Sequence, residues 1–428
     1  MVSFALTPDI VLLVKGPLEV DIKNEASIVG KDVSNSKVIC RYGKVWPIET
    51  ESACEVSLSS FSDTKNITSE FWIHRRKEVG TKIWDEVIAK VFNGTTVVFK
   101  SILVLGPTDS GKTTLSTYII NQAIRRGIRP AIIDADIGQG DLAPPGVIGC
   151  ASVEKQIFDL REVSSNHFRF VGSTNPTANS RLISRSVESL IREIRSKNGD
   201  FDGIDLVVVN TDGYMFSDGI CSKMKIANTT RPDMIVCLGE NAPSFCQVIR
   251  SRLWSKKLPV LMSTRLDQPY SYRPIVKSRL ERVKLRTEQF QKYLSDLGRE
   301  DRAKSFSLRR IKFIHKGLTY HRVASTSGDC FLLLRKNRAR TISKAALVNM
   351  FVGLGRASNV IGFGIISSIC KQNIKIQTEY ADVDTIYLSS IGVDMQTWKH
   401  YIIRNDRLYG YKSPIPASWQ GPGPLKRR

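Results

Sequence analysis

The sequence predicts an α/β protein: a central domain on a parallel sheet, flanked by smaller β-rich domains toward both ends. Three observations carry that prediction. Between residues 96 and 298, continuous apolar runs alternate with helical stretches, the pattern of a parallel sheet covered on both faces. On either side, residues 1–95 and 299–428 show short β-prone runs separated by Gly, Asn, Asp and Ser clusters. Finally, 428 residues exceed what one ordinary core holds.

The elements follow in order. In the first region, Ile10–Val14, Lys37–Arg41 and Glu55–Leu58 read as strands, and a helical stretch over Trp84–Val91 precedes the turn pair Asn93-Gly94. In the central region the apolar runs are Val97–Leu105, Ala131–Ile133, Asp205–Val209, Met234–Leu238 and Leu258–Met262. Helices are expected over Thr113–Arg126, Ser180–Arg195 and Ser244–Leu253. A long helix is expected from Pro274 to Leu294, with Val276, Leu280, Val283, Phe290 and Leu294 as its apolar stripe. A basic linker, Arg299–Lys316, leads to a last β-rich region containing Phe331–Leu334, Asn359–Ile366 and Thr385–Leu388. A Pro-rich tail ends in Lys426-Arg427-Arg428.

Composition narrows the function classes. There are 63 Lys+Arg against 41 Asp+Glu, a net charge of +22, which favours a polyanionic partner and nucleic acid above an anionic membrane. No run approaches the ~20 apolar residues that span a bilayer. The run Ile10–Val14 lacks a basic flank and a cleavage site, so it reads as a strand and not as a signal peptide. The 8 cysteines are scattered without a CxxC pair, which argues against a zinc site and for a reducing, intracellular compartment: cytoplasmic, or nuclear in a eukaryote.

The strongest local signal is Gly106-Pro107-Thr108-Asp109-Ser110-Gly111-Lys112-Thr113, followed by Thr114. It fits GxxxxGK[ST], follows an apolar strand and opens a helix, as a phosphate-binding loop must. Its glycines let backbone N–H groups curl around phosphates, and the helix N-terminus adds positive potential. In this motif the lysine, Lys112, reaches the β- and γ-phosphates of ATP and the hydroxyl of Thr113 ligates Mg²⁺. The second strand ends in Asp134-Ala135-Asp136-Ile137-Gly138-Gln139-Gly140. An acidic residue there can hold a metal-bound water or take the proton of an attacking hydroxyl.

Four motifs in order extend this reading: the phosphate loop, Asp134–Gly140, Phe170-Val171-Gly172-Ser173-Thr174-Asn175-Pro176, and Val209-Asn210-Thr211-Asp212-Gly213-Tyr214. Together they resemble the Clp1/Grc3 family of polynucleotide 5′-hydroxyl kinases, over about residues 97–295 and more weakly beyond. The resemblance implies a P-loop fold and transfer of the γ-phosphate of ATP to the 5′-OH end of RNA, with DNA as a further substrate. It implies Lys112, Thr113 and Asp136 as the chemical core, with Asp136 as general base and Gln139 near the metal. It implies that Thr174, Asn175 and Asn179 clasp the terminal nucleotides, and that Thr211 and Tyr214 stand at the substrate end. The family usually has Trp where this chain has Tyr214; an aromatic there can stack on a base.

The family's lid helix carries an arginine pair four apart, matched by Arg282 and Arg286, which share a helix face and suit charge stabilisation on a transferring phosphoryl group. A further family arginine falls at Lys277. Helical geometry instead favours Arg279, which lies on the face of the pair. Two other readings remain beside the kinase: a P-loop ATPase or GTPase switch, with Thr264-Arg265-Leu266-Asp267 as a loose guanine-reading motif, and a scaffold that binds ATP without transferring it.

Overall fold

The structure is a computed structural model that describes residues 1–60, 71–76, 81–93, 99–196, 199–239, 242–253, 260–263, 276–298, 302–320, 322–325, 330–335, 338–357, 359–370 and 372–403. It divides into two compact units, Met1–Gln289 and Phe290–Arg428.

The first unit begins with two antiparallel sheets. One runs in the order Val2–Leu6, Cys54–Ser59, Leu18–Lys23, Lys37–Cys40; the other in the order Lys31–Asp32, Ser27–Ile28, Val45–Glu49, Ile10–Lys15, Phe71–Arg75. Alternation places Leu18, Val20 and Ile22 inward and Asp21 and Lys23 outward, the period of a half-buried strand. The expected strands lie within this pair of sheets, and the helix Asp85–Phe92 stands where it was expected.

The central sheet follows. Five parallel strands run in the order Val260–Ser263, Met234–Leu238, Lys100–Leu105, Leu206–Thr211 and Pro130–Ala135. Side chains alternate between two cores: Ile102, Val104, Ile132, Val208 and Val236 join one, and Leu103, Leu105, Ile133, Val207 and Cys237 the other. Both faces are therefore covered, which is why these strands read as unbroken apolar runs. The sheet is not purely parallel, however. Val147–Ser152 and His167–Phe170 add two antiparallel strands beside Pro130–Ala135. Each is short; Gly149 breaks the apolar run of the first, and His167 and Arg169 interrupt that of the second. A further helix, Ser217–Thr230, was also not expected; Gly219 and a Ser/Thr/Asn-rich composition mask its period.

The first core is shared. Leu12, Ile28 and Val56 of the N-terminal sheets belong to one cluster with Leu115, Tyr118 and Ile119 of the helix Lys112–Arg125. Asn121 of that helix donates to the carbonyls of Val29 and Ile157 at 2.8 Å each. The N-terminal sheets thus pack directly on the helix that begins at the phosphate loop.

The second unit is β-rich, as expected. Met350–Arg356 pairs antiparallel with Asn359–Ile369 and with Thr385–Val393, around a core that includes Val352, Leu354, Ile366 and Ile386. The basic stretch expected as a linker holds two strands, Ala303–Ser307 and Lys312–His315. Phe306, Leu308, Ile311 and Phe313 are buried, so apolar residues recur between the cations. Among the described residues no helix is long and apolar enough to cross a membrane. The Thr264–Asp267 motif, Pro274 and the C-terminal tail lie outside the described residues.

Candidate active site

A cleft of about 430 Å³ opens at the carboxyl ends of the parallel strands, where ligands bind in such sheets. Its floor is the phosphate loop. The chain leaves the strand Lys100–Leu105 and turns through Asp109 (φ 61°) and Gly111 (φ 86°) into the helix that starts at Lys112. Lys112 is buried, and its Nζ donates to the Pro107 carbonyl at 2.7 Å. Burial pushes its ammonium down to about 8, against the pull of Asp136 and Asp212. The Ser110 hydroxyl is buried with no hydrogen-bond partner among the described residues. A buried lysine and an unsatisfied hydroxyl around curled amides form a cradle suited to phosphate.

The loop after Leu206–Thr211 closes against this cradle. The Thr108 hydroxyl donates to the Gly213 carbonyl at 3.2 Å. A Cβ at Gly213 would lie 2.5 Å from Thr108 Cα and N, so only glycine permits the approach. Beneath it, the Asp212 carboxylate accepts from the Tyr214 amide at 2.9 Å and from the fully buried Lys223 ammonium at 2.5 Å. That pair fixes the strand end and leaves Tyr214 on the cleft wall, 42% exposed, with its ring 5.7 Å from that of Phe216.

The carboxylates divide by role. Asp134 is buried in its strand and accepts from the Asp141 amide at 2.6 Å and the Asn210 amide group at 3.1 Å. Burial, then the nearby Asp136 and Asp141, push its carboxyl up to about 7. Asp136 stands just past the strand end and lines the cleft. Its Oδ1 accepts from the Gly138 and Gln139 amides at 2.9 Å each, and among the described residues its Oδ2 makes no hydrogen bond. Burial, with Asp212 adding repulsion, raises its carboxyl above the usual range, against the pull of Lys112. Asn210 Nδ2 also lies 3.4 Å from the Thr113 hydroxyl, which ties that hydroxyl to the carboxylate cluster.

One helix, Arg279–Leu294, crosses the cleft, and its residues up to Gln289 belong to the first unit. It starts at Arg279 because Ser278 and Glu281 form a reciprocal capping box: the Ser278 amide donates to the Glu281 carboxylate at 2.7 Å, and the Glu281 amide to the Ser278 hydroxyl at 3.1 Å. The expected stripe is corrected by this start. Val276 and Leu280 are exposed (68% and 81%), and the inward residues of the first unit are Leu285 and Gln289. The late start also separates Lys277 from Arg279. Lys277 precedes the helix and lines the cleft; Arg279 is exposed and does not. Arg282 Nη2 donates to Asp109 Oδ2 at 2.5 Å. Arg286 lines the cleft, and among the described residues its buried Nε has no hydrogen-bond partner. Burial, then Arg282, lower its guanidinium below the usual range, against Asp136. Gln139 Nε2 donates to the Gly138 carbonyl and lies 3.4 Å from that of Arg282.

Two expected substrate residues are corrected. Thr211 is fully buried, and its hydroxyl donates to the Val104 carbonyl at 2.8 Å, so it braces the sheet. Asn179 is buried and donates to the Asn175 carbonyl at 2.8 Å, which closes its own turn. Asn175 is exposed, and its Oδ1 accepts from the Thr177 amide and hydroxyl. Of the Ser173–Pro176 segment, Thr174 and Pro176 line the cleft.

Sequence reasoning missed one wall. Lys15, Lys44, Trp46 and Pro47 of the N-terminal sheets line the cleft, as do Phe158 and Arg161. Lys44 bridges Asp141 (2.7 Å) and Asp159 (2.9 Å), and Arg161 Nε reaches Asp141 at 2.9 Å. Burial opposes these charges, but Lys44 and Arg161 outweigh it and hold the Asp141 carboxyl far below its usual range. The only sequence signal was a basic residue in the turn Arg41-Tyr42-Gly43-Lys44, which is too common to single out.

The loop, the parallel strands and the cleft define a P-loop nucleotide-binding protein. Residues 106–296 match the family profile described as the P-loop of mRNA cleavage and polyadenylation factor CLP1. That stretch is thus similar to the P-loop domain of the Clp1 family. It is 27% identical over 316 residues to a polyribonucleotide 5′-hydroxyl-kinase of Pyrococcus furiosus, covering 67% of this chain and 84% of that one. It is 31% identical over 144 residues to the polyribonucleotide 5′-hydroxyl-kinase Clp1 of Xenopus tropicalis, covering 32% and 33%. The fold is similar to that of wild-type Clp1p solved in complex with Pcf11p, with a TM-score of 0.64 and 12% identity over 91% of this chain and 97% of that one.

Proposed function

We infer that the chain is an ATP-dependent polyribonucleotide 5′-hydroxyl kinase acting in RNA processing. The observation that carries this is the meeting of Lys112, Asp136 and Arg286 in one cleft: a phosphate cradle, a carboxylate with a free oxygen, and a guanidinium with an unused donor. Asp136 Oδ2 takes the proton of the 5′-OH, the 5′-oxygen bonds to the γ-phosphorus, and the bond to the β–γ bridging oxygen breaks to release ADP. Lys112 holds the β- and γ-phosphates, and the lid arginines offset charge on the group in transfer.

The donor set fits Mg²⁺. The cation takes one or two protein oxygens together with substrate phosphates, and the Thr113 hydroxyl and the Asp136 carboxylate would supply them, with Gln139 alongside. When bound, it neutralises charge on the transferring phosphoryl group. Thr174, Asn175, Tyr214 and Lys277 would receive the terminal nucleotides, and DNA ends are a second substrate class. Parts 1–95, 96–298 and 299–428 serve as nucleotide wall, kinase core and β-rich appendage in this reading.

The test is single-turnover transfer from γ-labelled ATP to matched RNA and DNA oligonucleotides with 5′-OH ends. Labelled RNA is expected. ATP binding without any labelled oligonucleotide would sink the kinase reading and leave a nucleotide-binding scaffold.

A further inference from the structure

The two lid arginines are not equivalent. Arg282 is already engaged: its Nη2 donates to Asp109 Oδ2 at 2.5 Å, and its Nε donates to the Lys277 carbonyl at 3.2 Å. Asp109 Oδ2 also accepts from the Lys277 amide at 3.0 Å, and Lys277 Nζ lies 3.9 Å from Oδ1. The Asp109 side chain is only 8% exposed. It sits inside the phosphate loop at φ 61°, a conformation Asp and Asn accept more readily than other side chains. Arg286, one turn further along, has no such partner for its buried Nε among the described residues.

The rest of the helix is held from elsewhere. Glu281 faces Lys15 at 3.5 Å across a partly exposed pair, Lys284 lies 3.7 Å over the Tyr42 ring, and Gln289 donates to the Gly140 carbonyl at 2.9 Å. Among the described residues, Asp109 is the phosphate-loop side chain that bonds to this helix and its leading turn. A single ion pair as solvent-accessible as Lys15–Glu281 holds little. A charge-assisted bond to a buried carboxylate, doubled by a backbone amide, holds much more.

We propose that Asp109 is a positioning residue that anchors the start of the lid helix to the phosphate loop through Arg282 and the Lys277 amide, so that Arg282 acts as the anchor and Arg286 is the guanidinium presented to the transferred phosphoryl group. The proposal rests on the kinase reading for its kinetic test. It goes beyond that reading by dividing the arginine pair and by giving a loop residue a task other than phosphate binding.

The test is a double-mutant cycle in the full chain: Asp109→Asn, Arg282→Gln and the pair, with kcat and KM for ATP measured on a 5′-OH oligoribonucleotide. Asn keeps the left-handed backbone and removes the charge. Each single variant is expected to lose about 10- to 100-fold in kcat. The pair is expected to be no worse than the worse single, because both remove one anchor. Arg286→Gln is expected to cost less in the Asp109→Asn background than in wild type, because a lid released from its anchor already presents Arg286 less well. Wild-type kinetics for Asp109→Asn, or losses that multiply in the pair, would overturn the proposal.

A second readout needs no catalysis. Limited trypsin digestion after Lys277 and Arg279 is expected to speed up about tenfold in both single variants, since a segment released from its anchor opens more often. Unchanged cleavage in variants that melt like wild type would overturn the anchor. If wild type transfers no phosphate at all, the kinase reading fails on that result, while the digestion still decides the anchor.

Discussion

Asp136→Asn removes the proposed base while sparing the turn that presents it. In the structure, Oδ1 accepts two amides, from Gly138 and Gln139 at 2.9 Å each. An asparagine Oδ1 accepts the same two bonds, so the loop Asp136–Gly140 keeps its path. What is lost is the second oxygen as a proton acceptor. A positioned general base contributes about 100- to 10,000-fold, or roughly 3–5 kcal/mol of barrier. Lys112 also loses a carboxylate that favours its charge, but its nearest contact, the Pro107 carbonyl, is untouched. ATP affinity should therefore stay largely intact. The assay is rapid-quench single turnover at pH 7 with labelled ATP, paired with direct ATP binding. A transfer rate within about threefold of wild type would remove Asp136 from the proton-transfer step. A collapse of ATP binding would show that its task is electrostatic support of Lys112.

Three further outcomes are expected. Lys112 titrates near 8 in the free protein, so its charge is present below that pH and lost above it; kcat/KM for ATP should fall above pH ~8, and a flat profile to pH 10 would refute the assignment. Lys223→Met strands the Asp212 carboxylate without its buried partner and should cost about 3–5 kcal/mol, on the order of 6–10 °C in melting midpoint. Adding Asp212→Asn should recover most of that loss, and a drop of less than ~2 °C for Lys223→Met alone would refute the role of the pair. Gly213→Ala drives a methyl into the Thr108 backbone and should raise KM for ATP about tenfold in a folded protein; an unchanged KM would show that the loop yields easily.

What the sequence revealed depended on how local each signal was. The phosphate loop is one contiguous motif between a strand and a helix, so Gly106–Thr113 could be placed by reading alone. Arg282 and Arg286 are four apart on one helix, and local spacing brought both to the same face. The start of that helix was legible as well, in Ser278-Arg279-Leu280-Glu281, but the proline at 274 drew the boundary too early. Thr211 and Asn179 failed for another reason. A hydroxyl or amide at an element's end serves the cleft or the scaffold according to which way one residue faces, and sequence does not fix that. Lys44 and Trp46 were invisible because their partners, Asp141 and Phe158, lie about a hundred residues away, and Arg161, though nearer to Asp141 in the chain, is linked to it by no helical or strand period.

The wall formed by the N-terminal sheets has a consequence for the order in which the protein is made. Lys15 and Lys44 leave the ribosome first, the phosphate loop follows, and Arg286 comes about 170 residues after Thr113. At the usual pace of synthesis, that gap is roughly 10–30 s. Late in that interval, once Leu206–Thr211 and Met234–Leu238 can pair with the strand that ends at the loop, a nascent chain holds the cradle and one wall without the helix that crosses them. Nucleotide captured then would meet an open trough, and the residues that grip it from above would still be inside the translation machinery or not yet joined to the chain.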